Sequence, residues 1–187
     1  MPGTSITPRT STTNDYDAIV VGVGAMGSAT VYQLARRGQR VLGIDRYDIP
    51  NEMGSSHGVT RMIRLTLQED PSYVPLVRRA YELWHELENL SGERLLFTTG
   101  SIRAGLEGSR MFEGSKEACE IHNIPHLVMT GPEVNRRFPG YQLSEDTLAV
   151  YQADGGFLLS ERCIVNQVAA ALELGAEVHG REQVLAW

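Results

Sequence analysis

Three glycines, Gly22, Gly24 and Gly27, stand in the pattern GxGxxG, and an acidic residue, Asp45, follows 23 positions after the first of them. Residue types at that spacing suit the cradling of a dinucleotide pyrophosphate. Gly22 permits a tight turn, Gly24 leaves no side chain in the path of the phosphates, and Gly27 lets a helix pack closely on a strand. The helix N-terminus that follows directs unpaired amides and roughly half a positive charge at the phosphates, while the Asp45 carboxylate can accept bonds from the adenosine ribose hydroxyls. An anion at that place disfavours a 2′-phosphate, which argues against NADP. A glycine-rich turn serving packing alone is the competing account, and the loop by itself does not separate NAD from FAD.

A second cluster, GSSHGVTRMIR over residues 54–64, joins small residues, hydroxyls, His57 and two arginines three positions apart, Arg61 and Arg64. Small residues let backbone approach a ligand, and Ser55, Ser56 and free amides suit phosphate or flavin oxygens. An arginine fork grips a carboxylate in a bidentate way that lysine cannot imitate. The plain alternative is two surface arginines in ordinary ion pairs and a histidine that caps a helix. Only Lys116 among the 17 basic residues is a lysine, so chemistry needing an amine side chain has one candidate. Cys119 and Cys163 lie far apart, with no CxxC and no histidine at metal-ligand spacing, so neither a disulfide nor a metal site is expected. No Ser/His/Asp or Cys/His nucleophile set appears, and His57 has no carboxylate partner evident in the sequence.

The elements around the glycines read as a βαβ unit. Tyr16 to Val21 is a short apolar run ending at glycine, as in a strand buried on both faces of a parallel sheet. Ala25 to Arg37 supplies a helix with an apolar face, stopped by Gly38, and Arg40 to Asp45 a second buried strand. Tyr73 to Leu90 carries Val74, Val77, Tyr81, Trp84 and Leu87 at helical spacing. Leu95 to Leu106 and Leu148 to Leu159 read as strands of a separate antiparallel sheet, with helical segments at Ser109 to His122 and Pro132 to Phe138 between them. Ser160 is expected to cap a last helix ended by Gly175, followed by a strand from Ala176 to His179. Arg181 to Trp187 reads as the opening of one more strand, so the sheet is expected to be incomplete within this chain.

The chain has 187 residues, 42% hydrophobic and 21% charged, and a formal net charge of -6. That is the range of a soluble globular protein with no basic field for nucleic acid or an anionic membrane. Small-molecule partners are expected. Residues 1–14 are rich in Ser, Thr and Pro and lack the apolar core of a signal peptide, which implies a disordered tail and a cytoplasmic protein.

The stretch YDAIVVGVGAMGSATVYQLARRGQRVLGID, then GSSHGVTRMIR, YVPLVRRAYELWHELE, RRFPGY and DGGFLLSERC, resembles the monomeric sarcosine oxidase and N-methyltryptophan oxidase family from residue 15 to the end. The resemblance implies an α/β fold: a Rossmann-like, FAD-binding doubly wound sheet plus part of an antiparallel-sheet substrate domain. Residues 15–94 would open the FAD-binding domain, 95–159 form part of the substrate domain, and 160–187 return to the first. It also implies FAD, covalently held in that family, and oxidation of a secondary amine of an N-methyl amino acid, with oxygen reduced to hydrogen peroxide. By position Gly22, Gly24, Ala25, Met26, Gly27, Asp45 and Arg46 fall at the ADP portion of FAD, and the backbone of Val184 at the adenine. Ser55, Ser56, His57 and Arg61 fall beside the pyrophosphate and flavin, and Arg64 at the substrate carboxylate. Arg61, Arg64 and His57 are thus the candidate catalytic residues.

The family's flavin-linking cysteine, its active-site lysine and part of its substrate lid come from a later half with no counterpart here, which points to an incomplete form or a complementary C-terminal chain. Cys119, Cys163 and Lys116 do not match those positions. Leu65-Thr66-Leu67 departs from the family's histidine, small residue and tyrosine, which leaves the amine's identity open. A nicotinamide-dependent dehydrogenase and a non-catalytic fragment binding ADP-like ligands are the other readings of the same residues.

Overall fold

A computed structural model describes residues 15–186, so the tail expected over residues 1–14 lies outside the described residues. The chain divides into two compact units, one of residues 1–51 and 167–187, the other of residues 52–166. Residues 52–94, expected with the cofactor domain, fall in this second unit, where the one strand within them, residues 61–63, pairs with residues 156–158 far along the chain.

The first unit holds β1 (Ala18–Val21), α1 (Ala25–Ala35), β2 (Val41–Ile44) and β9 (Glu177–His179). Its sheet has the order β1-β2-β9, all parallel, with Ala18 opposite Val41 and Gly43 opposite Val178. Every residue of β2 is buried, as expected of a central parallel strand with both faces covered. Helix α1 forms because Gly27, Ser28, Val31, Tyr32 and Ala35 recur on one buried face. It stops before Gly38, whose φ of +76° suits glycine alone at low cost.

The strand expected over Arg181 to Trp187 is absent from the described part, residues 181–186, and Val184 belongs to no strand. Arg181 takes a φ of +61°, which turns the chain after β9. Its amide donates to Tyr47 O at 2.9 Å and the next, of Glu182, to Asp45 O at 2.9 Å, so this stretch lines the loop after β2 instead of extending a ladder.

The second unit holds β3 (Arg61–Ile63), a 3-10 turn (Pro71–Tyr73), α2 (Val74–Ser91), β4 (Leu96–Thr98) and β5 (Ser101–Leu106). After these come α3 (Arg110–Ile121), β6 (Leu127–Thr130), α4 (Gly131–Arg137), β7 (Thr147–Gln152) and β8 (Gly156–Leu158). Two antiparallel sheets result, β3-β8-β4 and β5-β7-β6. One core cluster gathers Leu65, Val74, Phe112, Ala118, Cys119, Ile124 and Val150. A smaller cluster of Met129, Val134 and Ala149 sits under α4. Both cysteines are free and buried; burial pushes the Cys119 thiol up to about 11 and the Cys163 thiol up to about 12.

Helix α5 (Ser160–Glu173) is continuous through the division between the units. Ser160 is its first residue, and its hydroxyl donates to Gly58 O at 2.7 Å, which ties the helix start to the 54–60 loop. Glu161 accepts from the Gly58 amide at 2.7 Å, so this loop is pinned on both sides of Gly58.

Near the end of α2, Glu93 accepts from Arg162 Nε and Nη2, each at 2.7 Å, and from Asn166 Nδ2 at 2.8 Å. The Arg162 bonds, with that from Asn166, hold its carboxyl down at about 2, below the ordinary 4.5. A depressed carboxylate contributes stability above its unfolded value and loses it as pH falls through the folded one. Glu93→Gln is expected to cost about 1 kcal/mol at pH 7, solvent screening included. In urea titrations the gap between wild type and variant should shrink between pH 4.5 and about 2; a gap unchanged by pH would refute the assignment. Among the described residues no helix is long and apolar enough to cross a membrane.

Candidate functional site

The first unit builds the glycine loop from the end of β1 into α1. Gly22 has φ +90° and donates to Ile44 O at 2.8 Å, which fixes the turn on β2. At Gly27 a Cβ would lie 1.8 Å from Gly22 O, so helix and loop meet there at a distance only glycine allows. Gly24 is the N-cap of α1 in extended conformation, and the helix starts with no side-chain cap bond and no acidic residue in its first turn. Ala25 and Met26 are exposed at that start, Met26 by 85%.

Asp45 is buried at the end of β2, and its carboxylate braces the loop: Oδ2 accepts from Val23 N at 2.8 Å and Oδ1 from Tyr47 N at 2.9 Å. Each carboxylate oxygen has two lone pairs, so acceptor capacity remains for a ribose hydroxyl. Sequence reasoning named the ribose role and missed the bracing role. Arg46 is exposed, with its guanidinium 5.4 Å from the centre of the Tyr47 ring. Val184 is half-buried, in the irregular stretch after β9.

The second unit carries the other candidates. Ser55 O accepts from Arg61 Nη2 at 2.9 Å and Nε at 3.3 Å, and Thr60 O from Arg61 Nη1 at 2.9 Å. Arg61 therefore holds the 55–60 loop in shape. His57 is exposed, with Nδ1 2.8 Å from Gly54 O. A carbonyl can only accept, so Nδ1 carries the hydrogen and donates it to this bond. Ser56 is half-buried in the same loop.

Arg61 and Arg64 do not converge. Arg61 turns back on its own loop, whereas the Arg64 guanidinium lies 3.6 Å from Met62 Sδ through Nη1 and 3.5 Å from Glu69 Oε1 through Nη2. Its side chain is 17% exposed, and its Nε is buried with no partner among the described residues. Arg64 is thus a mostly buried cation next to a single exposed carboxylate at long range, a donor set with capacity to spare.

Sequence reasoning also missed a second cation beside Arg64. Arg103, in β5, donates to Gln68 Oε1, and its own Nε is buried without a partner among the described residues. Burial and then the Arg64 guanidinium hold Arg103 below the usual arginine range, with Glu69 acting against both. Gln152 is fully buried and accepts from Leu65 N at 3.1 Å. The signal for these was a charged or amide side chain inside strands otherwise apolar and small, SIRAGL and TLAVYQ. Among the described residues no group of three or more His, Cys, Asp or Glu side chains could hold a metal ion.

The glycine cradle, the uncapped helix start and the buried acid fit the ADP portion of a dinucleotide; they would hold its pyrophosphate and ribose. The family model described as FAD dependent oxidoreductase matches residues 17–187. Monomeric sarcosine oxidase of Streptomyces avermitilis is 37% identical over 172 residues, covering 92% of this chain and 45% of that protein. N-methyl-L-tryptophan oxidase of Yersinia pestis is 32% identical over 164 residues, covering 88% of this chain and 44% of that protein. The chain therefore spans less than half the length of these curated relatives. Among solved structures, NikD, an unusual amino acid oxidase essential for nikkomycin biosynthesis, superposes with a TM-score of 0.77 at 28% identity, over 89% of this chain and 43% of that one. The cofactor named by the matching model is FAD rather than a nicotinamide, and from this and the glycine cradle it follows that the chain belongs to the FAD dependent oxidoreductase family.

Proposed function

We propose that this chain contributes the FAD-holding portion and the carboxylate anchor of an enzyme that oxidises the secondary amine of an N-methyl amino acid. The observation that carries this is Arg64: a mostly buried guanidinium whose Nε has no partner among the described residues and whose Nη2 lies at long range, 3.5 Å, from the Glu69 carboxylate. A substrate carboxylate is the ligand that a planar fork of this kind takes best. In that role it displaces Glu69, and holding the carboxylate restricts where the neighbouring C–N bond can lie, which is where positioning enters the rate.

FAD, when bound, would supply the two-electron redox chemistry of amine oxidation, with oxygen as the final electron acceptor and hydrogen peroxide as its product. The chain's own residues do the rest. Gly22, Gly24, Ala25, Met26 and Gly27 admit the pyrophosphate, Asp45 takes the ribose with Arg46 beside it, and the backbone of Val184 meets the adenine. Ser55, Ser56, His57 and Arg61 form a loop whose shape Arg61 maintains; His57, its Nδ1 held by a carbonyl, orders the site rather than abstracting a proton. The unit with the glycine loop serves FAD, and the antiparallel strands of the other serve the substrate.

The test is anaerobic mixing of flavin-loaded protein with N-methyl amino acids. Loss of the visible flavin absorption, followed in air by its return with one peroxide per amine consumed, is the expected result. Flavin that stays oxidised with every N-methyl amino acid but is reduced by a primary or hydroxyl substrate would contradict the reading.

A further inference from the structure

Asp45, whose carboxylate braces the glycine loop, has its main chain gripped from both sides by one short segment of the same compact unit. Its amide donates to His179 O at 2.8 Å, and its carbonyl accepts from Glu182 N at 2.9 Å. To make both bonds the chain must reverse between His179 and Glu182. Arg181 makes that reversal in the left-handed region, at φ +61°, where an arginine carries a backbone penalty that glycine would escape.

The side chain gives a reason for an arginine at this place. Arg181 Nε donates to Asp48 Oδ1 at 2.6 Å and Nη2 to Asp48 Oδ2 at 3.2 Å, a two-point grip, while its amide donates to Tyr47 O at 2.9 Å. Asp48 stands in the loop that Asp45 opens. Inside that loop Tyr47 N donates to Asp45 Oδ1 at 2.9 Å and Asn51 Nδ2 to Asp48 O at 2.9 Å. Arg181 thus ties the middle of the loop to the returning segment, as Glu182 N ties its start. Both side chains of the pair are mostly exposed, and exposed ion pairs add little to stability, but two-point arginine–carboxylate geometry fixes direction. The pair sets shape more than stability.

Resting on the reading that Asp45 takes the ribose, we infer that Arg181 is a positioning residue for cofactor binding: its grip on Asp48 orders the 45–51 loop before the adenosine arrives. Asp45 then presents its carboxylate from a loop already in place, and binding does not have to meet the cost of ordering it. This concerns the ADP portion alone and is independent of which amine is oxidised.

Calorimetric titration of the full 187-residue chain with ADP tests the role. Arg181→Gly removes the fork and suits the φ of +61°, so folding is preserved; Asp48→Asn removes the other half of the grip. Each should weaken ADP by roughly three- to tenfold with the urea midpoint kept. The double variant should lose no more than either alone, because both break one contact. Asp48→Asn separates the grip from the local field: removing a negative charge near an anionic ligand would tighten ADP if the field alone mattered, whereas losing the grip weakens it. In the ligand-free chain, amide hydrogen exchange at Arg181 and Glu182 should quicken in both variants. ADP affinity unchanged or raised by Asp48→Asn, additive losses in the double variant, or no ADP uptake by the wild type would overturn the inference. Grip-dependent ADP binding by a chain whose flavin no N-methyl amino acid reduces supports it and sinks the oxidase reading; amine-driven flavin reduction with ADP affinity untouched in both variants does the reverse.

Discussion

Gly27→Ala is expected to lower FAD affinity by about 3 kcal/mol, roughly a hundredfold, and to cost about 1–3 kcal/mol of stability. The Cβ would lie 1.8 Å from Gly22 O, and that oxygen belongs to backbone, so no flexible side chain can yield. The loop must move away from α1 by more than an ångström, taking with it the turn at Gly22 and the amides that face the pyrophosphate. Gly38→Ala is the control at the other end of the same helix. A Cβ there meets nothing within 4 Å, and only the φ of +76° penalises it, so it should cost about 1 kcal/mol of stability and leave FAD affinity unchanged. Fluorescence titration with FAD separates the two. Equal effects of the two substitutions on FAD affinity would mean that the close approach at Gly27 is not what shapes the loop.

Arg64→Met is expected to weaken binding of a carboxylate ligand by about 2–4 kcal/mol, roughly 30- to 800-fold. The size follows from burial: the side chain is 17% exposed, so its charge is little screened. Arg64→Lys keeps the charge but not the planar fork and should recover only part of the loss. Arg61→Met provides the contrast. That guanidinium donates to Ser55 O and Thr60 O and is exposed, so its removal should loosen the 55–60 loop and leave carboxylate affinity within about twofold. Titration of the variants with acetate decides between the two roles; a larger loss at Arg61 than at Arg64 would reverse the assignment.

The parts of the fold that were legible in the sequence are those in which local pattern and burial agree. Strand β2 is a short apolar run that stops at an acid and is buried throughout, and α1 and α2 bury one face; β1 was expected to be buried on both faces, but Ile19 and Val21 are exposed, so only its existence was legible. Strand β3 was not legible, because Arg61-Met62-Ile63 has no alternation and its ladder depends on β8, far along the chain. Strand β6 escaped notice for a similar reason: Leu127 and Val128 are exposed, and the segment is held at a sheet edge by β7. The apolar residues near the C-terminus gave the opposite error, since Val184 and Leu185 look like a strand, yet the chain turns at Arg181 and bonds to the loop after β2.

The local geometry was legible where it is set by neighbours in sequence: the turn at Gly22, the close approach at Gly27 and the acid that ends β2 are of this kind. The bracing of Val23 by Asp45 and the proximity of Arg103 and Arg64 arise from packing between segments distant in sequence, and no spacing encodes them. The separate settings of the two arginines were likewise not encoded in their spacing: Arg61 is drawn to the carbonyls of its own loop, while Arg64 faces Met62 and Glu69.

That this chain holds FAD is tested most directly by titrating the purified 187-residue protein with FAD and following flavin fluorescence, with NAD and NADP titrated in parallel. The expected result is saturable binding of one FAD per chain, lost in Gly27→Ala and retained in Gly38→Ala, with no competition from NADP. A folded chain that binds NAD and leaves FAD free in solution would contradict it.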